Sequence, residues 1–305
     1  MKISVVFPSV LYREGAEGVL RFIKGVEKIG FDELDMFDHV VMGYPTNSRS
    51  KQIYPPQMPI VEAFMLLAYA AAQTSRIKLG TSVLVLPQRH PTLVAKQVST
   101  LDTLSGGRVK LGVGSGWQAS EYEALGEDFS DRGKRMDECI EILRAYWGDE
   151  HVNFQGEHYQ IDEMAMEPKP PQGRNIPIWI GGTKAPALRR VARLGDGWMA
   201  MNAPRDAPLE ERLKELRGYI DEVGRDPASV GLQMSLSPGP LDKEQRKRFF
   251  SDPDLMLDRL IELKAMGFQE TSIDCVPIFQ HGYRTSEAIL GYLEEVYEKL
   301  KPELG

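Results

Sequence analysis

The chain has 305 residues, of which 42% are hydrophobic and 27% charged, a globular balance that sets aside disordered and fibrous classes. Its formal charge of -7 is spread along the sequence, which argues against nucleic acid as the main partner. Cys139 and Cys275 show no metal-ligand spacing, and no apolar run approaches the roughly 20 residues of a membrane span, so we expect a reduced, cytoplasmic protein with no membrane partner.

Short Val- and Ile-rich runs alternate with longer amphipathic stretches eight times, the pattern of parallel strands covered by helices. In chain order the first four pairs are Ile3–Phe7 with Gly15–Ile29, Glu33–Phe37 with Ile60–Thr74, Ile77–Val85 with Thr92–Leu104, and Val109–Val113 with Arg132–Trp147. The next four are Ile178–Ile180 with Ala185–Leu194, Gly197–Met201 with Pro208–Val223, Val230–Leu236 with Pro253–Met266, and Thr271–Cys275 with Ser286–Leu300. This predicts an α/β protein, a single (β/α)8 TIM barrel over 1–305. Ala63, Leu66, Leu67 and Ala70 mark one apolar helix face. Gly30 and Gly267 close helices in the phrases Lys-Ile-Gly-Phe and Ala-Met-Gly-Phe, which suit left-handed caps. His151–Gly173 breaks the alternation and reads as an insertion between helix 4 and strand 5: a hairpin over Val152–Ile161, then an extended connector at Pro168, Pro170 and Pro171. Val40–Pro59 and Ser237–Gln245 follow strands two and seven, where a barrel builds its substrate pocket.

Functional side chains of such a barrel gather where strands end. Asp38-His39 follows strand two; a histidine there can move a proton near neutral pH, and the adjacent carboxylate can orient it or meet a ring cofactor. A satisfied polar pair in a loop is the competing reading. Gly80-Thr81-Ser82-Val83 lies in strand three, where glycine permits close backbone approach. Gly112, Gly114 and Gly116, before Trp117, leave bare backbone for either a flat ring or a close packing contact. Gly114, Gly116 and Ala119 meet a relaxed dinucleotide fingerprint, but this is the fourth βα unit and the acidic Asp137 falls inside a helix, so context rejects it. Ile178-Trp179-Ile180-Gly181-Gly182-Thr183-Lys184 runs into a helix start, a candidate phosphate cradle whose competing reading is a tight turn with Thr183 as N-cap. Arg132 and Arg135 read as surface ion pairs with Asp131 and Glu138. His90 faces the rim, His151 and His158 are solvated, and Tyr292–Lys301 is a solvated helix face. No two histidines share ligand spacing on a strand, which disfavours a metal hydrolase and leaves no metal site.

Taken in order, several blocks resemble the luciferase-like monooxygenase superfamily, especially its deazaflavin (coenzyme F420) dependent oxidoreductases. They are Phe37-Asp38-His39, Leu79 to Pro87 with Arg89-His90-Pro91, Ala95-Lys96-Gln97 through Arg108, Leu111 to Trp117 with Arg132-Gly133-Lys134-Arg135, Pro177 to Gly182, and Leu194-Gly195-Asp196-Gly197-Trp198. The resemblance covers most of the chain. It implies a tricyclic ring in the barrel mouth, backed by a cis peptide and bulge at Ser82-Val83, with His39 as proton donor or acceptor and Asp38 touching the cofactor. Ser115, Gly116 and Ser120 would line the cofactor site, while Ile180, Gly181, Gly182 and Thr183 would hold its phosphate. F420 is the implied cofactor, with FMN as the alternative, a small organic molecule the substrate, and a homodimer the assembly. The sugar-phosphate dehydrogenases of this branch carry a glutamate where Trp117 stands, and the histidine and arginine pattern of the sulfonate monooxygenases is missing, so neither substrate carries over. A reduced-FMN monooxygenase using oxygen and a noncatalytic flavin-binding protein are the alternative functions.

Overall fold

A computed structural model describes residues 1–47, 53–200 and 207–304. The strands are β1 (Lys2–Val6), β2 (Glu33–Met36), β3 (Lys78–Thr81), β4 (Leu84–Val85), β5 (Val109–Gly114), β6 (Val152–Gln155), β7 (Gln160–Met164), β8 (Ile178–Gly181), β9 (Gly197–Ala200), β10 (Gly231–Ser235) and β11 (Glu270–Asp274). Parallel pairing runs β1, β2, β3, β5, β8, β9, β10, β11 and back to β1, which closes an eight-stranded barrel. The expected (β/α)8 architecture is therefore what the chain adopts.

The helices are α1 (Gly15–Ile29), α2 (Ala63–Gln73), α3 (Pro91–Ser105), α4 (Ala119–Leu125), α5 (Arg132–Gly148), α6 (Ala185–Leu194), α7 (Leu209–Glu222), α8 (Lys243–Arg248), α9 (Pro253–Ala265), α10 (Cys275–Gln280) and α11 (Ser286–Leu304). Ala63, Leu66, Leu67 and Ala70 of α2 are buried against the barrel, as their spacing requires. Gly30 and Gly267 take φ of 123° and 97° at the ends of α1 and α9, a region open to glycine because it lacks Cβ. β6 and β7 pair as an antiparallel hairpin between α5 and β8. The predicted sixth strand reached Met201, which lies outside the described residues.

The third strand is not continuous. From Leu79 to Leu84 the chain takes five steps while their partners Val109 and Val113 are four apart, so one residue is extra. The irregularity falls at the Ser82-Val83 peptide, which is cis, and splits β3 from β4 as a bulge does.

Alternation along β2 sends Leu34 and Met36 one way and Glu33 and Asp35 the other, into the barrel. There Lys110 of β5 lies 2.8 Å from Glu33 and 2.9 Å from Glu270, donates to Gln233 at 3.1 Å, and sits 4.7 Å above the Trp179 ring. Ser4 donates to Asp35 at 2.6 Å. Gly80 makes this possible, since a Cβ there would fall 2.2 Å from Asp35 Oδ1 and 2.4 Å from Glu33 Oε1. Burial, and then the neighbouring Asp35, push the Glu33 carboxyl above its ordinary range against the opposing pull of Lys110. The interior beneath the mouth is thus a packed polar layer centred on Lys110.

Four expectations for peripheral residues are corrected. Arg135 is buried, not a surface residue, and pairs with Asp131 and Glu127 instead of Glu138. Arg132 stacks on Phe129 at 3.8 Å. His158 is largely enclosed beside Asp131. Tyr292, Leu293, Val296 and Leu300 form a buried stripe of α11 whose opposite face alone is solvated, because the helix closes the barrel wall between α1 and α9.

Candidate active site

The exit of β2 is clamped to the third strand: the Ser82 N–H donates to the Met36 carbonyl at 2.8 Å. Beyond it Asp38 and His39, 4% and 8% exposed, turn to different partners. Asp38 accepts from both terminal nitrogens of Arg89, at 2.7 and 2.8 Å, and from the Val85 N–H at 3.0 Å. It holds Arg89 and the end of β4 in place and does not orient His39. His39 Nδ1 lies instead 2.9 Å from Oε2 of Glu121, a residue of α4 only 1% exposed. Oε1 of the same carboxylate accepts from the Val40 and Val41 N–H groups at 2.5 and 3.3 Å. The His39 ring also meets Trp117 and Tyr54 edge-on, with centroids 5.3 and 5.8 Å away.

Burial works against ionisation of Glu121, but the contacts from His39, Gln88 and the Val40 amide outweigh it and hold the carboxyl below its ordinary range. Gln88 lies beside this carboxylate without a well-aligned hydrogen bond of its own. A buried ionised carboxylate against an imidazole is an arrangement that can orient the ring and favour its protonated form.

The glycine run of β5 packs against the third strand. A Cβ at Gly112 would fall 2.0 Å from the Thr81 carbonyl oxygen, one at Gly114 2.7 Å from Val83 Cγ2, and one at Gly116 2.6 Å from Val85 Cγ1. A Cβ at Gly181, at the end of β8, would fall 3.2 Å from Val83 Cγ1. Val83, half-buried, therefore lies between two glycine-bearing strand ends. Of the two readings of this run, a close packing contact is what Gly112, Gly114 and Gly116 make with the third strand. Ser115 gives its carbonyl to the Tyr122 hydroxyl at 2.7 Å. Ser120 lines a cleft of about 550 Å³ between the β2 exit loop and α4, with a buried Oγ that has no hydrogen-bond partner.

At β8 the buried Ile180 leads to Gly181, Gly182 and Thr183. Gly182 adopts φ of 115° and accepts from the Trp198 indole at 2.7 Å. The N-cap of α6 is Lys184, not Thr183, and no side chain caps that end. Pro186 stands in the first turn and the Ala187 N–H is bonded to the Lys184 carbonyl, and a helix N-terminus of this kind is suited to an anion.

The sequence reading missed Glu121, Arg89, Gln88 and Tyr54 as parts of this site. Glu121 sits in Glu-Tyr-Glu, and nothing local separates it from the solvated Glu123; α4 itself was not foreseen. Arg89 carried one signal, its place in the block Arg89-His90-Pro91. Among the described residues no helix is long and apolar enough to cross a membrane, and no group of three or more His, Cys, Asp and Glu is arranged to hold a metal ion.

The family profile described as luciferase-like monooxygenase matches residues 1–262. An uncharacterised protein of Mycobacterium tuberculosis is 41% identical over 210 residues, 66% of this chain and 71% of that protein. An F420-dependent glucose-6-phosphate dehydrogenase of Segniliparus rotundus is 28% identical over 294 residues, 93% and 83% of the two chains. In three dimensions a monooxygenase from Streptomyces bottropensis superposes with a TM-score of 0.77 at 21% identity, covering 100% of both chains. The coenzyme F420 dependent tetrahydromethanopterin reductase from Methanopyrus kandleri gives 0.75 at 18% identity, over 100% and 99%. With 262 residues matched by one profile and a closed barrel bearing Asp38, His39 and the Ser82-Val83 bulge at its mouth, the chain belongs to the luciferase-like monooxygenase family of enzymes.

Proposed function

We propose that the protein is an F420-dependent oxidoreductase that moves a hydride between the deazaflavin and a small organic substrate, with His39 handling the accompanying proton. The observation that carries the reading is the pairing of His39 with a buried, ionised carboxylate at a strand exit, 2.9 Å apart, beside the bulge that seats Val83. A family relative named for F420 along 93% of this chain supports the choice of cofactor.

The residues present fit such a group. Val83 supplies an apolar wall that Gly114 and Gly181 make room for, Ser120 Oγ is a buried hydroxyl without a partner, and the Gly182-Thr183 stretch at the start of α6 suits a phosphate. Ser82, Ser115, Gly116, Ile180 and Gly181 complete the proposed lining, with Asp38 bracing it through Arg89. Bound there, the deazaflavin would supply the carbon that gives or takes hydride. The protein's part is to orient the substrate, exclude water and move one proton at His39. Trp117, Tyr54 and His39 form an aromatic corner at this point, which suits a substrate with apolar surface better than a phosphorylated sugar. The same reading carries the family's homodimer and a cytoplasmic location.

Titration of the purified protein with F420 and with FMN tests the cofactor. Tight F420 binding with substrate-dependent bleaching or recovery of its absorbance is expected. Tight FMN binding with oxygen consumption and no F420 affinity would replace the reading by an FMN-dependent monooxygenase, a reaction that solved structures of the same fold carry in their descriptions. His39→Ala should abolish turnover while leaving cofactor binding in place.

A further inference from the structure

We infer that Glu121 is the positioning residue of the site: its carboxylate fixes His39 as the Nδ1–H tautomer and leaves Nε2 as the bare nitrogen that exchanges a proton with the substrate. The inference rests on His39 being the proton-transfer group proposed above.

An ionised carboxylate can only accept hydrogen bonds, so the nitrogen 2.9 Å from Glu121 Oε2 must be the donor, and Nδ1 carries the hydrogen. In neutral imidazole the other nitrogen then has the free lone pair. The geometry also explains why a carboxylate is needed and an amide would not serve. Oε1 is committed to two backbone donors, Val40 and Val41, so a glutamine at 121 would keep its carbonyl there and turn its NH2 toward His39. That NH2 would donate to Nδ1 and force the hydrogen onto Nε2, the wrong nitrogen for accepting a proton.

The groups around the ring leave this role to Glu121. Asp38, the neighbour in sequence, is committed to Arg89 and the Val85 amide. Tyr54 meets the ring edge-on, and its phenol is raised by burial and then by Asp274 at the end of β11; Asp274 in turn caps α10 through the Val276 N–H at 2.9 Å. Trp117 is uncharged. Among the described residues Glu121 is thus the carboxylate in contact with His39.

With a substrate alcohol the bound deazaflavin would supply the hydride acceptor, and the part of His39 would be to take the O–H proton at Nε2 as the C=O bond forms. The imidazolium so produced lies against the Glu121 carboxylate, which favours it electrostatically. In the reductive direction the same proton returns to the carbonyl oxygen.

The test compares Glu121→Gln, His39→Ala and the double variant, each reconstituted with F420 and assayed against a substrate on which the wild type turns over. Glu121→Gln should lower kcat by about 10²-fold or more, leave F420 affinity within about twofold, and shift the His39-dependent limb of the pH–rate profile to lower pH because a neighbouring negative charge is lost. The double variant should be no slower than His39→Ala. Ring-15N NMR of the wild type, with the His39 signal identified by its loss in His39→Ala, should show a protonated Nδ1 and an unprotonated Nε2 in the neutral form. Unchanged turnover and pH profile in Glu121→Gln, with His39→Ala inactive, would overturn the role of Glu121 and leave that of His39 standing. Unchanged turnover in His39→Ala would remove the reading on which the inference rests. The opposite tautomer in the wild type would overturn the inference without any variant.

Discussion

Replacing Lys110 by methionine isolates the charge that holds the polar layer beneath the site. Methionine keeps the length and the apolar contact with Trp179, 4.7 Å from the ammonium, but leaves the Glu33–Asp35 pair without its cation and Glu270 with the exposed Lys2 at 3.4 Å in place of the buried one. Breaking one side of a buried ion pair costs about 3–5 kcal/mol. At about 2.1 cal/mol/K of unfolding entropy per residue, a chain of 305 residues converts a loss of ~4 kcal/mol into a Tm lowered by about 6 °C. The effect should depend on pH. Burial opposes ionisation of Glu270, but Lys110 overcomes it and holds this carboxyl below its ordinary range. Its stabilising contribution is therefore present above the ordinary carboxylate pKa and lost as pH falls through the depressed folded value. Glu33 runs the other way: its raised pKa makes the protonated form the favoured one, and it loses stability as pH rises. The gap between wild type and Lys110→Met should thus be widest near pH 7 and narrow toward about pH 4. Thermal and urea unfolding at both pH values measure it. Equal Tm values at pH 7, or a gap that stays constant as the acid range is entered, would refute the assignment of Lys110 as the cation that stabilises Glu270.

Gly114→Ala should cost about 1–3 kcal/mol in chemical denaturation and weaken cofactor binding in a fluorescence titration, because its Cβ would meet Val83 Cγ2 at 2.7 Å; unchanged values in both would contradict Val83 as the wall. Asp38→Ala strands the half-buried Arg89 cation and the Val85 amide, and should destabilise by about 3 kcal/mol, read by urea unfolding. Glucose 6-phosphate should give no F420 reduction, since Trp117 stands where the sugar-phosphate dehydrogenases carry a glutamate; turnover with it would refute the aromatic corner as the basis of substrate choice.

The barrel was legible because its signal is periodic. α1 and α6 have the bounds the sequence predicts, Gly15–Ile29 and Ala185–Leu194, since each has an apolar stripe and a glycine at its end. The third strand was read as one run because Leu79 to Val85 is continuously apolar or small, and composition does not report a register offset of one residue. The short helices α4, α8 and α10, of seven, six and six residues, escaped because fewer than two turns give periodicity nothing to repeat. α8 did carry a readable signal, the Asp242 and Gln245 capping box.

The site was legible only in part, and Asp38 and His39 show why. The pair that looks like a unit in sequence is divided between two partners in the fold. Asp38 finds its partner in Arg89, on the unit that follows β3, and His39 finds its own in Glu121, after β5. Both encounters exist because β2, β3 and β5 lie side by side in the closed barrel, which brings the exit segments of three successive βα units to one rim. A strand end therefore announces which residue faces the mouth, as His39 does. It does not announce what holds that residue in position, because the partner is set by strand order around the barrel and can be more than eighty positions away.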